Sequence, residues 1–279
     1  MAVLELNQVV KSFGGLVAVN GVNLTLEKGD LAGLIGPNGA GKTTVFNLLT
    51  GVYTPTSGAI RFHGKEIGGM KPHEIAKLGI CRTFQNIRLF PELTVLDNVR
   101  TATSLHESVG LWGTLFRSGK FFRAEEEVTQ EAERLLDLLE LLDLKNERAR
   151  NLPYGDQRRL EIARALATKP ELLLLDEPAA GMNPQESQDL MHLIRRLRDE
   201  FGLTILLIEH DMTVVMGVCE NITVLVYGEP VAHGTPVEIR NNPKVIEAYL
   251  GSEHPILEDN ALPEAESITP GEAVSGGTA

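Results

Sequence analysis

The chain of 279 residues contains only two cysteines, Cys81 and Cys219, and neither stands in a CxxC or other metal-ligand spacing. That excludes a disulfide framework and a thiolate metal centre, and it suits a reducing compartment. Both cysteines are expected to be core packing residues. Long apolar runs are equally scarce. The longest aliphatic stretches, such as Leu172–Leu175 and Ile205–Ile208, fall far short of the ~18 residues that a membrane span needs. Basic charge is in deficit, with 26 Lys and Arg against 38 Asp and Glu. The formal charge of −12 argues against a nucleic-acid coat or a polybasic membrane anchor. The opening Met1-Ala2-Val3-Leu4-Glu5-Leu6 has neither a basic region nor a long apolar stretch, so no signal peptide is expected and a cytoplasmic protein is.

Half of the net charge is local. Residues 251–279 hold six acids, together with Pro, Gly and Ser, and no Lys, Arg, Phe, Tyr or Trp. Such a segment cannot bury enough apolar surface to offset its ordering entropy, so a disordered tail with no function of its own is expected. The rest has the composition of an ordinary globular domain, and residues 1–250 are long enough for a sizeable core.

Hydrophobic patterning divides those residues. Leu4–Val10 and Val22–Leu26 alternate apolar and polar positions, which predicts half-exposed antiparallel strands. Leu31–Ile35 is continuously apolar, as a strand buried on both faces should be. A glycine-rich turn follows, and then Thr44–Leu49 with helical character. From about Gln85 to Gln157 the chain reads as helix. Glu125–Leu144 is the strongest stretch, with Leu135, Leu138, Leu139 and Leu142 at helical spacing. Strand and helix patterns then alternate: helix at Leu160–Ala167, buried strand at Leu172–Leu175, helix at Gln185–Glu200, buried strand at Thr204–Ile208. That order predicts a parallel sheet covered by helices, with a helical insertion of roughly 86–158.

Gly36-Pro37-Asn38-Gly39-Ala40-Gly41-Lys42-Thr43, with Thr44 next, satisfies GxxxxGK[ST] between a buried strand and a helix. Glycines let successive backbone N–H groups face a polyphosphate, and the helix N-terminus adds its positive end. Lys42 is placed to neutralise β- and γ-phosphate charge and Thr43 to ligate Mg²⁺. The motif predicts a nucleoside triphosphate site. Asp176 and Glu177 follow the strand Leu172–Leu175, where the carboxyl ends of parallel strands bind ligands. Asp176 is the candidate holder of Mg²⁺ through a water, and Glu177 the candidate base for an attacking water.

The remaining motifs make the sequence resemble the ABC ATPase family, over about residues 4 to 250. Leu152-Pro153-Tyr154-Gly155-Asp156-Gln157 and the following Arg158–Leu166 stand where that family has its LSGGQ signature and helix. Gln85 resembles its Q-loop glutamine, His210 its switch histidine, Phe13 its adenine-stacking aromatic and Gly181-Met182-Asn183-Pro184 its D-loop. The resemblance implies an α/β P-loop NTPase with a mostly parallel core sheet, an N-terminal antiparallel β subdomain and an inserted helical subdomain. It implies a head-to-tail dimer holding ATP between each phosphate loop and the partner's signature loop, where Gly155 would meet the partner-bound ATP. Glu177 would be the general base, His210 would contact the γ-phosphate, and Gln85 would sense Mg²⁺ or the water. One departure is plain: the family's signature serine is Pro153 here, which has neither a hydroxyl nor a backbone N–H. A charge-assisted hydrogen bond is expected to be missing, while Gly155 and a helix starting near Gln157, with Asp156 as its capping residue, still face the phosphate.

Tyr154–Arg164, Ala179–Pro184, Leu207–Met212 and His233–Ile239 through Tyr249–Gly251 are similar to the ATP-binding subunits of branched-chain amino-acid importers. So is the insertion containing Trp112, with Phe116, Phe121 and Phe122 near it. That subfamily implies a related ATPase partner, two membrane permeases, an external binding protein and a place on the cytoplasmic face of the membrane. Urea and short-amide importers and lipopolysaccharide exporters use similar ATPases, so the cargo stays open. A non-transport ABC ATPase would be a tandem fusion or carry a long coiled coil, and neither is present.

Overall fold

The structure, a computed structural model, describes residues 2–103 and 119–250, with side chains up to 103 and from 125 to 249. Trp112 and Phe116, the side chains of Phe121 and Phe122, and the acidic tail lie outside the described residues.

Two sheets organise the chain. The first is antiparallel, in the order β2-β1-β4-β5, from β1 Ala2–Phe13, β2 Leu16–Glu27, β4 Ser57–Phe62 and β5 Lys65–Glu66. The first two strands are antiparallel as their alternation predicts; β1 begins two residues earlier and ends three later than expected, and β2 begins six earlier and ends one later. The second sheet has the order β10-β9-β3-β8-β7-β6. It contains β3 Leu31–Ile35, β6 Ile80–Arg82, β7 Leu172–Asp176, β8 Thr204–Ile208, β9 Asn221–Val226 and β10 Glu229–Gly234. All its pairings are parallel except that of β10 with β9.

Strand geometry explains why the central strands are apolar throughout. Successive side chains point to opposite faces, and here both faces are covered. Leu173, Leu175, Ile205 and Leu207 join a core under α5 Tyr154–Ala167, α6 Pro184–Phe201 and α7 Met212–Val218. Their neighbours Leu172, Leu174, Leu206 and Ile208 join a second core with α1 Lys42–Leu49 and the antiparallel sheet. Cys219 is buried in the first core and Cys81 packs against it, as expected.

Between β6 and β7 the elements among the described residues are all helical: α3 Val95–Thr103, α4 Gly119–Leu138, short 3₁₀ turns at Leu142–Leu144 and Ala149–Asn151, and then α5. Two expectations fail here. The long helix does not reach Leu144; it stops at Leu138, and Glu140 takes a left-handed conformation at φ 58°. The periodic leucines continue across that break because Leu139 and Leu141 are still buried in the same core. The second is the start of α5, which lies at Tyr154 rather than near Gln157. Pro153 is its N-cap and Asp156 sits in the first turn instead of capping. Proline suits that place because its fixed φ precedes the helix without leaving a donor unpaired.

Helix α6 shows the expected local chemistry more fully. Asn183 caps it by accepting from the Glu186 N–H, Pro184 occupies the first turn, and Gly202 ends it in the left-handed region. Helices α2 Pro72–Lys77, α8 Pro236–Arg240 and α9 Pro243–Leu250 complete the described elements. No described helix is long and apolar enough to cross a membrane.

A candidate nucleotide site at the strand ends

Register brings the motifs to one edge of the central sheet. Ile208 pairs with both Leu34 and Asp176, so the loops leaving β3, β8 and β7 emerge level with one another. On β6, Arg82 pairs with Leu174, and Thr83 to Gln85 continue beside the end of β7. The Thr83 N–H donates to the Leu174 carbonyl at 2.9 Å.

The phosphate loop leaves β3 at Gly36. A Cβ there would lie 2.1 Å from the Leu225 carbonyl, and φ is 151°, so only glycine fits. Gly41, which precedes α1, has φ 100° and the Ala18 carbonyl 2.5 Å from where a Cβ would sit. The loop is braced from behind by the turn between β9 and β10, whose Gly228 N–H donates to the Ala40 carbonyl at 3.0 Å. Tyr249, on α9, supports the same place. Its ring is buried, burial pushes its phenol up to about 12, and its hydroxyl faces the Gly36 N–H.

Lys42 is buried inside this loop and donates to the carbonyls of Gly36 at 2.6 Å and Pro37 at 3.0 Å. Burial pushes its ammonium pKa down, and the nearby carboxylates of Glu177 and Asp176 pull it back up. The lysine therefore sits within the field of both acids. Asn38, Gly39 and Thr43 are exposed at the mouth of the loop.

Asp176 is buried at the end of β7 and is held by Arg82, whose Nη2 lies 2.6 Å from its Oδ2. Glu177 is forced into the left-handed region at φ 46° and donates its N–H to the Ile208 carbonyl at 2.8 Å. A non-glycine residue held at such a φ is strained and needs its surroundings to keep it there. The turn aims its carboxylate at the neighbouring loops. Gln85 donates from Nε2 to Glu177 Oε2 at 2.7 Å, and His210 Nδ1 lies 3.8 Å from the same oxygen. Thus Lys42, Gln85, the adjacent Asp176 and Glu177, and His210, from four stretches far apart in sequence, meet at one edge.

Phe13 stands apart on the antiparallel sheet, half exposed. Tyr53 meets it edge-on at 5.0 Å between ring centres, and the Lys11 ammonium lies 4.9 Å from its ring. Gly155 is not joined to the phosphate loop by any hydrogen bond among the described residues. It lies in the first turn of α5, and with Pro153, Asp156, Met182 and Glu186 it lines a cleft of about 270 Å³.

Several residues at this edge have roles that the sequence does not announce. Arg82 is one. Glu209 is another: it is fully buried and accepts from the N–H groups of Ala179 at 2.7 Å and His210 at 3.2 Å, so it joins the histidine loop to the segment after Glu177. Burial pushes its carboxyl up. Arg158 and Glu161 are a buried pair on α5. An acid beside a histidine, and two charges three apart on a helix, look like surface residues in a sequence.

A phosphate loop, an acid pair at the end of the adjoining strand, a glutamine loop and a histidine loop around one sheet edge define an ATP-binding cassette ATPase. Comparison agrees. The ABC transporter family matches residues 19–180, and the chain belongs to it. A second family, the branched-chain amino acid ATP-binding cassette transporter, matches residues 229–255. The chain is 51% identical over 249 residues to the high-affinity branched-chain amino acid transport ATP-binding protein BraF of Pseudomonas aeruginosa, covering 89% of this chain and 98% of that protein. It is equally similar, 51% over 248 residues, to LivG of Escherichia coli, covering 89% and 97%. Among solved structures, the ADP conformation of an ATP-binding cassette of an ABC transporter has a TM-score of 0.79 at 33% identity, covering 90% of this chain and 99% of that one. A dimeric cassette in a post-hydrolysis state, bound to ADP and Pi, has a TM-score of 0.71 at 28% identity, covering 84% and 98%.

Proposed function

We propose that this ATPase powers the uptake of branched-chain amino acids, working on the cytoplasmic face of the membrane beneath two permeases that receive substrate from an external binding protein. The observation that carries the catalytic part is the convergence of Gln85 and His210 on the Glu177 carboxylate, beside the buried Lys42. The cargo rests on the relatives at 51% identity and on the match of the C-terminal segment.

The residues suit ATP and Mg²⁺. The Gly36 cradle admits no side chain, and the loop presents Lys42, Thr43 and Thr44 at the start of α1. No group of three His, Cys, Asp or Glu among the described residues could hold a metal alone. Mg²⁺ keeps several waters and binds through one or two protein oxygens plus phosphates, which suits Thr43, Gln85 and a water on Asp176. Because Arg82 engages Oδ2 of Asp176, Oδ1 is the oxygen left for that water. When bound, the ion neutralises charge on the phosphates. Lys42 holds the β- and γ-phosphates, Phe13 stacks on the adenine, Glu177 takes the proton of the attacking water, and His210 contacts the γ-phosphate. The N–H groups at the start of α5, with Gly155 among them, receive the nucleotide of a second cassette in a head-to-tail dimer.

Co-purification with the membrane partners, followed by uptake of radiolabelled leucine, urea and short amides into vesicles, tests the reading. ATP-driven leucine uptake is expected. Uptake of urea or amides alone would reassign the cargo, and ATP hydrolysis with no membrane partner would remove the transport role.

A further inference from the structure

Arg158 is the largest fully buried side chain of the described residues, and apolar neighbours do not explain it. It lies on α5, one turn after Tyr154. Its Nη1 donates to the Phe84 carbonyl at 2.6 Å and to Glu161 Oε2 at 2.9 Å. Its Nη2 donates to the Gln85 carbonyl at 2.9 Å and to the Tyr154 hydroxyl at 3.1 Å. Only Nε is without a partner among the described residues. Glu161 closes the knot by accepting from the N–H groups of Phe84 at 3.2 Å and Arg88 at 3.4 Å.

Two of the four acceptors belong to the loops of the site. Gln85 is the residue whose side chain holds Glu177 at 2.7 Å. Tyr154 stands in the signature loop, half exposed, and its ring edge lies 3.6 Å from where a Cβ on Gly181 would be. One guanidinium therefore links the loop that faces outward to the backbone of the residue that restrains the catalytic acid. A buried ion pair is a poor source of stability, because desolvation offsets its attraction. Its planar fork is instead a rigid connector, since moving one acceptor strains the bonds to the others.

We propose that Arg158 and the Tyr154 hydroxyl are positioning residues that couple the signature loop to Gln85. Nucleotide arriving from the partner cassette presses on the signature loop, shifts Tyr154 and Arg158, and draws Gln85 away from Glu177. The carboxylate oxygen so released is free to take the proton of a water at this chain's own site. The two ATP sites of the dimer are thereby linked through α5. This rests on the head-to-tail arrangement proposed above.

Tyr154→Phe tests the coupling in the assembled transporter, since it removes one hydroxyl and keeps the ring. At saturating ATP, kcat is expected to fall about ten- to a hundredfold, the range that loss of one hydrogen bond to a charged group spans. The half-saturating ATP concentration stays within about twofold, and the Hill coefficient for ATP falls towards one. Arg158→Lys, which keeps the charge but lacks the fork, is expected to show the same split with a larger loss. Unchanged kcat and cooperativity in Tyr154→Phe would overturn the proposal, and so would a drop in melting temperature that accounts for the whole loss of rate. ATP-driven association of the Glu177→Gln chain reads the dimer separately. If association fails there, the head-to-tail arrangement fails; if it persists while Tyr154→Phe behaves as wild type, only the coupling fails.

Discussion

Arg82 Nη2 and Asp176 Oδ2 lie 2.6 Å apart, with both side chains only 5–6% exposed. The guanidinium is packed between the rings of Phe46 and Phe84, at 5.4 and 5.2 Å from their centres, and its Nη1 donates to Asn47 Oδ1 at 2.7 Å. The acid proposed to organise the metal is thus already oriented by β6. The same arginine also locks the root of the glutamine loop to β7.

Arg82→Ala should therefore be severe. It strands a buried carboxylate, which costs about 3–5 kcal/mol in comparable pairs. A second variant, Arg82→Ala with Asp176→Asn, should recover part of the lost melting temperature by removing the uncompensated charge. A loss below about 1 kcal/mol in the single variant would mean that water replaces the arginine freely.

Glu177→Gln is expected to leave ATP binding within about twofold of wild type and to reduce hydrolysis about a hundredfold or more, the scale of general base catalysis. The amide keeps the size of the side chain but cannot take a proton. Binding and turnover measured on the same purified complex decide the matter. Hydrolysis within a few-fold of wild type would remove Glu177 from the base role.

Much of this architecture was legible because buried strands are short and apolar. Thr204–Ile208 agrees to the residue with its expected span, and Leu172 and Leu31 begin their strands as expected. The phosphate loop was legible because its backbone geometry admits almost nothing but glycine. Helix ends are less legible. Leu139, Leu141 and Leu142 keep a helical rhythm past the true end of α4, since the chain turns at Glu140 while still facing the core. A start for α5 near Gln157 is too late because Asp156 is a common capping residue, whereas here Pro153 precedes the helix without a side-chain cap. The burial and roles of Arg82, Arg158, Glu161 and Glu209 are not legible, even where they stand inside family stretches. Periodicity reports which positions are apolar, and a buried charge breaks that pattern only where tertiary partners satisfy it.

Glu209 gives a pH-dependent test. Burial raises its folded pKa above the ordinary 4.5, and the N–H groups it accepts from pull the value back only in part. A raised acid contributes stability that is fully present below 4.5 and lost as pH rises through the folded value. Glu209→Gln does not titrate, so its melting temperature relative to wild type should improve as pH is raised from about 4.5 to 8. The comparison needs only thermal melts of both proteins across that range. A wild type that gains on the variant as pH rises would show that the bonds from Ala179 and His210 outweigh the burial.

Pro153→Ser tests whether the departed signature serine matters. Pro153 precedes α5 at φ −54° and ψ 156° with no side-chain cap, and its carbonyl accepts from the Gln157 N–H at 3.0 Å. The proposed contact of the first-turn N–H groups of Gly155 and Asp156 with a partner's phosphate needs no help from a hydroxyl. Serine at this position has two possible partners. It can cap its own helix by accepting from a first-turn N–H, which stabilises the isolated chain by about 1 kcal/mol. Alternatively it donates to the γ-phosphate of the opposing nucleotide, a charge-assisted bond of about 1.5–3 kcal/mol. The second effect is larger and exists only in the dimer, so in a Glu177→Gln background ATP-driven association should tighten about tenfold or more. Sedimentation with and without ATP measures that, and a thermal melt of the isolated chain measures the first effect. A raised melting temperature with unchanged or weaker association would mean that the hydroxyl turns inward to its own helix, and that the N–H groups of α5 already suffice for the phosphate.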